Sequence, residues 1–261
     1  MYEWIKADII ETISEFQRNP EIQSSWKEPV IGYASAGDPL FDKLKSVASP
    51  THHTPRELLG KAQTVIAYFL PFVDSITRSN RAKGLASQSW AKAYLETNQL
   101  IVSINQHLAH SFHRRGYNSV VLPPTHNFDA DKLLSDWSHK HIAYIAGLGK
   151  FGLHHMLITE KGCCGRLGSI VVDVEIEPTS QANEDACLYK YNQSCTNCVK
   201  RCEAGALTEN GFDRHECYKV CLDNADKYKA LGLADVCGKC MSMVPCSFIN
   251  PVRKLLISPQ K

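Results

Sequence analysis

No cysteine occurs before Cys163, although the 261-residue chain holds 11. Disulfide stapling is therefore excluded from the larger, N-terminal part of the fold, which must be held by a core. Long apolar runs are also missing. The longest, residues 65–73, is broken by Pro71 and is far too short to cross a bilayer. The first residues mix charges of both signs into an apolar pattern, with no basic stretch leading into an apolar one. No export signal is expected, and the expected compartment is cytoplasmic. Excess charge of one sign is lacking too: Lys plus Arg number 29 and Asp plus Glu 27, a net +2. That balance offers no strong field for a polyanion, so tRNA is not expected as a partner. Arg78, Arg81 and Lys83 form a small basic patch that reads as a solvated face. There is no low-complexity tract and no repeat of solenoid length. What remains is ordinary globular material, 44% hydrophobic and 21% charged, enough to bury a core.

Residues 3–18 carry Ile5, Ile9, Ile13 and Phe16 on one helical stripe. Residues 29–33 read as a short strand. Asp38-Pro39 is an N-cap followed by proline, opening a helix with Leu40, Phe41, Leu44 and Val47. Thr54-Pro55-Arg56-Glu57 is a capping box, and a buried strand follows at 64–70. Residues 88–115 hold a long helical pattern stopped by Gly116, and 119–122 a strand closed by Pro123-Pro124. A helix is expected over 128–146 and strands over 156–159 and 169–174. This interleaving predicts an α/β or α+β domain over 1–178, followed by a cysteine-rich second over 179–261.

Nine cysteines lie between Cys187 and Cys246. Clustering of this kind in a cytosolic chain points to metal rather than disulfides. Two C-x-x-C pairs, Cys195/Cys198 and Cys237/Cys240, are each preceded by an outlier, Cys187 and Cys217, and followed by another, Cys202 and Cys246. That gives two quartets of thiolates, the requirement of two [4Fe–4S] clusters. In two-cluster ferredoxins the last cysteine of each run ligates the other cluster. The same rule assigns Cys187, Cys195, Cys198 and Cys246 to one cluster, and Cys202, Cys217, Cys237 and Cys240 to the other. Cys221 is an alternative to Cys217. A single Cys₄ zinc site is the competing reading, but it leaves an ordered second quartet unexplained. Cys163-Cys164 has no cluster spacing and reads as an incidental pair.

Gly147-Leu148-Gly149-Lys150-Phe151-Gly152 fits the dinucleotide fingerprint, but the segment before it reads as helix and the segment after it is broken by Gly162, Gly165 and Gly168. A glycine-rich backbone passing close to some other flat or bulky group is the better reading. Gly147, Gly149, Gly152 and the following His154 are therefore the candidate cofactor-binding residues.

The stretch 146–152, continuing through Met156-Leu157-Ile158-Thr159 and Leu167-Gly168-Ser169-Ile170-Val171-Val172-Asp173, resembles the epoxyqueuosine reductase family. So do residues 55–71 and the double cysteine pattern ending at Pro245-Cys246. The resemblance implies a nitroreductase-like α/β sandwich followed by a small ferredoxin-like domain with two [4Fe–4S] clusters. It also implies base-off cobalamin beside one cluster, and kinship to reductive dehalogenases. The expected activity is a cobalamin-dependent oxidoreductase. Clusters fed by a low-potential donor such as ferredoxin or flavodoxin would reduce cobalamin, for use on a small electrophilic substrate. An electron-transfer protein serving a partner's corrinoid is the alternative. The family's catalytic aspartate lies upstream of the glycine motif, where this chain has Leu133, with Asp136 the nearest acid. His139 and His141 are the candidate proton donors, since histidine titrates near neutrality.

Overall fold

A computed structural model describes residues 2–257. The chain runs α1 (Glu3–Gln17), β1 (Val30–Ser35), α2 (Leu40–Val47), α3 (Pro55–Leu58), β2 (Thr64–Pro71), α4 (Asp74–Ser79), α5 (Gln88–Arg114), β3 (Ser119–Val121), α6 (His139–Ile145), β4 (Gly149–Phe151), β5 (Leu157–Thr159), β6 (Gly165–Val172), α7 (Leu188–Asn192), α8 (Asn197–Lys200), α9 (Arg214–Lys227) and α10 (Pro251–Ile257).

Side chains alternate across a strand, and in β2 both resulting sets are apolar. Ile66, Tyr68 and Leu70 join one cluster with α1 and α5; Val65, Ala67 and Phe69 join another with α2 and α6. All eight residues of β2 are consequently buried. A strand covered on both faces needs no polar alternation. Each large side chain taken out of water here contributes about 1.5–3 kcal/mol. The sheet order is β1-β2-β6-β3, with antiparallel neighbours throughout. Strands β4 and β5 form a separate hairpin. Antiparallel pairing and helix α6 ahead of Gly147 are incompatible with a βαβ nucleotide unit, in line with the sequence reading.

Local signals hold where the chemistry is local. Asp38 Oδ1 accepts from the Leu40 N–H at 2.8 Å, opening α2 one residue later than expected. Thr54 and Glu57 form the reciprocal capping box. Ser87 caps α5, and Gly116 follows its end at φ +81°.

The helix expected over 128–146 is a correction: only α6 is helical, and residues 125–138 form an irregular loop. Asp129 Oδ1 accepts from the N–H groups of Asp131 and Lys132, and Asn127 and Leu133 take left-handed backbone at φ 47° and 53°. Short polar side chains that bond their own backbone compete with helix formation, and they win here.

The cysteine-bearing segment packs on the α1/α5 face of the sheet. Ala186, Cys187, Cys198, Leu207, Met241, Val244 and Cys246 belong to the same apolar cluster as Ile66 and Leu100. Backbone bonds from Cys163 N–H to Cys246 O (3.0 Å) and from Cys164 N–H to Ser247 O (3.3 Å) tie this segment to the approach to β6. No helix among the described residues is long and apolar enough to cross a membrane.

Candidate functional site

The C-x-x-C turn at 237–240 is positioned by hydrogen bonds from outside it. Lys239 is buried between the two cysteines and donates to Asn80 Oδ1 at 3.0 Å and Ala82 O at 2.7 Å. Asn80 Nδ2 donates to Cys237 O at 2.9 Å, and Arg201 Nε to Lys239 O at 3.2 Å. Gly238 sits at φ +69°, with the Trp90 ring where a Cβ would project.

Cys202, Cys217, Cys237 and Cys240 all border one cavity of about 340 Å³, with Cys221 beside them. Cys217 and Cys221 stand four residues apart on α9, hence on one helix face. Cys221 donates to Cys217; this and the Lys140 charge hold the Cys217 thiol down at about 7, although burial opposes them. Cys221 is pushed up by the same hydrogen bond and by burial. Burial pushes Cys237 to about 11 and Cys240 well upward, and the neighbouring thiolates add to the effect. The other quartet is gathered as well. Burial, then the proximity of Cys246, Cys187 and Cys195, pushes Cys198 up to about 12. Thiols so disfavoured as anions are stable as thiolates only when something cationic binds them, and binding would release their protons.

The walls of the cavity add unpartnered donors. Trp90 Nε1 and Arg166 Nε are buried without a hydrogen-bond partner among the described residues, and both line it. Arg166 lies in β6 with its guanidinium 4.2 Å from the Tyr94 ring centroid, and burial lowers its pKa. An adjoining hollow of about 280 Å³ shares Met156, Gly165 and Arg166 and reaches Ser138, His139 and Lys140. A third, of about 330 Å³, holds Lys140, His141, His155 and Arg214. Phe128 lines both, so loop 125–138 roofs this cleft.

The two candidate proton donors differ in setting. His139 is 7% exposed; Nδ1 pairs with Ser169 Oγ and Nε2 with Pro123 O, both at 2.9 Å. Burial pushes it down to about 4, so it is neutral at physiological pH with both ring nitrogens occupied. His141 is also pushed to about 4 by burial, with the nearby Lys140 charge contributing. Its Nδ1 pairs with Ser138 Oγ at 2.7 Å, and its ring packs against Phe151. Asp136 is bonded to Thr51, which holds its carboxyl below the usual range.

The glycine motif has explanations within the chain. A Cβ on Gly149 would meet Ile158 O at 2.1 Å, across the β4/β5 pair. A Cβ on Gly152 would meet His154 Cε1 at 2.7 Å. Gly147 and Gly149 border a different hollow, of about 460 Å³, together with Lys150, Thr179 and Glu184. His154 instead faces the cysteines. It lies with Cys163 and Cys246 in a buried group whose donor atoms are all within 4.8 Å of one another. The folded chain thus sets Cys163, which spacing alone leaves unplaced, beside Cys246.

Sequence reasoning missed Cys163, Arg166, Trp90 and Lys140. Arg166 left a signal: a lone charge inside a strand otherwise apolar. Trp90 left none, because it sits on the ordinary apolar stripe of α5.

No family model matches the chain, and no curated protein matches it. Solved structures do. An epoxyqueuosine reductase bound to a tRNA-Tyr epoxyqueuosine-modified stem loop superposes with a TM-score of 0.57 at 18% identity, covering 95% of this chain and 66% of that one. The chain has the epoxyqueuosine reductase fold. A selenomethionine-labelled epoxyqueuosine reductase matches at TM-score 0.53 and 18% identity, over 91% of this chain and 65% of that one. A reductive dehalogenase whose structure suggests a mechanism for B12-dependent dehalogenation shares the fold at TM-score 0.55 and 13% identity, over 88% and 32%. The chain thus spans about two thirds of the epoxyqueuosine reductases it matches and about a third of that dehalogenase.

Proposed function

We propose that this chain is an iron–sulfur, cobalamin-dependent reductase acting on a small electrophilic substrate. The carrying observation is the pairing of two gathered thiol quartets with a cavity that one of them lines, where Trp90 Nε1 and Arg166 Nε wait for acceptors. The donor set fits the groups. Four thiols per quartet match a [4Fe–4S] core, and buried unpartnered N–H groups suit an acceptor-rich, anionic neighbour. Cys187, Cys195, Cys198 and Cys246 would hold one cluster; Cys202, Cys217, Cys237 and Cys240 the other. In this reading residues 1–178 carry the catalytic part, a nitroreductase-like sandwich, and 179–261 a ferredoxin-like part.

Bound cobalamin supplies strongly reducing cobalt chemistry that no side chain can provide. The residues around it place and protect. Phe72, Trp90 and Met156 line the cavity with apolar surface and keep water from reduced groups. Arg166 offers a fixed positive charge that orients an acceptor. Lys140 borders both the adjoining hollows, and burial lowers its pKa, so its Nζ is a stronger proton donor than an exposed lysine. His141 shares the same wall. With both nitrogens committed to Ser169 and Pro123 O, His139 braces β6 rather than delivering the proton. A low-potential carrier such as ferredoxin or flavodoxin would supply the electrons.

The test is anaerobic purification, reconstitution with iron and sulfide, addition of cobalamin, desalting, and metal analysis. About eight irons and one cobalt per chain support the proposal. Iron without cobalt favours an electron carrier that serves a partner's corrinoid. Zinc without iron overturns both.

A further inference from the structure

His154 has its tautomer dictated by the backbone. The Met156 N–H donates to His154 Nδ1 at 3.1 Å, so Nδ1 must present its lone pair and the ring proton of the neutral imidazole sits on Nε2. That Nε2 lies 3.3 Å from Cys246 Sγ, within the reach of an N–H···S hydrogen bond. The ring is 4% exposed, so water does not compete. It reaches this seat only because Gly152 lacks a side chain: a Cβ there would stand 2.7 Å from Cε1. Cys163 flanks the same sulfur without donating to it: its Sγ is within 4.8 Å, its thiol faces Met241 O at 3.9 Å, and its backbone N–H holds Cys246 O at 3.0 Å.

We propose that His154 is a positioning residue that raises the reduction potential of the cluster held by Cys246, by donating its Nε2–H to Cys246 Sγ. The inference rests on the two-cluster reading above. Reduction adds one electron from a low-potential one-electron donor to that cluster, and no proton moves. The added charge spreads onto the thiolate sulfurs, and a fixed N–H aimed at one of them stabilises the reduced form more than the oxidised form. Hydrogen bonding to cluster sulfurs is one of the factors that set such potentials. His154 would thereby make the cluster of Cys187, Cys195, Cys198 and Cys246 easier for an external donor to reduce.

The experiment is an EPR-monitored redox titration of the reconstituted protein and of His154→Leu, His154→Gln and Cys163→Ala, with iron counted in each. Cys246→Ser identifies which signal belongs to the Cys246 cluster. His154→Leu should move that midpoint to a more negative value, by an amount near a tenfold change in the reduced-to-oxidised ratio, about 59 mV for one electron. His154→Gln keeps an N–H in reach and should recover most of the shift. Cys163→Ala, which removes a neighbour that does not donate to Cys246, should leave the midpoint near the wild-type value. The other cluster should stay in place. Full iron with an unmoved midpoint in His154→Leu overturns the inference and leaves the cluster reading standing. So does a shift confined to the other cluster. A wild-type chain that loads no iron overturns both.

Discussion

Gly238 offers a test in which the size of an effect can be worked out before it is measured. Two independent terms oppose a side chain at this position. The backbone is left-handed at φ +69°, and a Cβ would lie 2.2 Å from Trp90 Cζ2. The conformational term costs about 1–2 kcal/mol for a residue other than glycine. The clash forces the indole or the 237–240 turn to shift, as in overpacked cores, at about 1–3 kcal/mol. Gly238→Ala should therefore destabilise the protein by about 2–5 kcal/mol. Gly205 separates the terms, because it too is left-handed at φ +63° but has open space around it. Gly205→Ala should show only the backbone cost. Chemical denaturation of the anaerobically reconstituted protein gives both values, and iron content reports whether the turn still binds. In a Trp90→Phe background, where the ring shrinks away from Gly238, the excess of Gly238→Ala over Gly205→Ala should fall; contacting residues couple in this way. If Gly238→Ala matches Gly205→Ala in stability and holds full iron, the packing of the turn against Trp90 is not what positions these cysteines.

Further outcomes follow from the same geometry. Arg166→Met should retain iron but weaken cobalamin retention about tenfold to a hundredfold, the value of one hydrogen bond from a charged donor, read as cobalt per chain after desalting. Ser169→Ala strips a partner from both Trp137 Nε1 and His139 Nδ1, each 2.9 Å from its hydroxyl, and should cost about 1–3 kcal/mol for each buried group left unsatisfied. The pH dependence of stability has a stated sign. His139 is depressed to about 4 in the folded chain from 6.5, so its contribution is complete above pH 6.5 and is lost as pH falls from there to about 4. That loss amounts to about 3 kcal/mol, and His139→Gln should flatten the slope in this window and leave the slope above pH 7 unchanged.

Some of this protein was determined by its sequence alone. The buried strand at 64–70, the amphipathic stripes of α1 and α5, and the capping box at Thr54 each depend on residues a few positions apart. Local periodicity and local hydrogen bonds decide them, and the folded chain keeps them. The cysteine spacing was legible for a related reason: short C-x-x-C loops and their outliers suggest a donor set from sequence alone, and the fold brings Cys202, Cys217, Cys237 and Cys240 to one cavity. Tertiary structure decided the rest. Residues 128–138 looked helical because their apolar residues suited a helix, but Asp129 bonds its own backbone instead. His139 and His141 looked alike in sequence; burial and the occupied ring nitrogens of His139 distinguish them. The glycine motif suggested a flat group nearby, and the nearest such group at Gly152 is the ring of His154. His154 meets Cys246 across 92 positions of chain, alongside Cys163. No local pattern encodes a contact of that separation. Packing of the cysteine segment onto the sheet creates it, together with the buried Trp90 and Arg166 donors that mark the cavity.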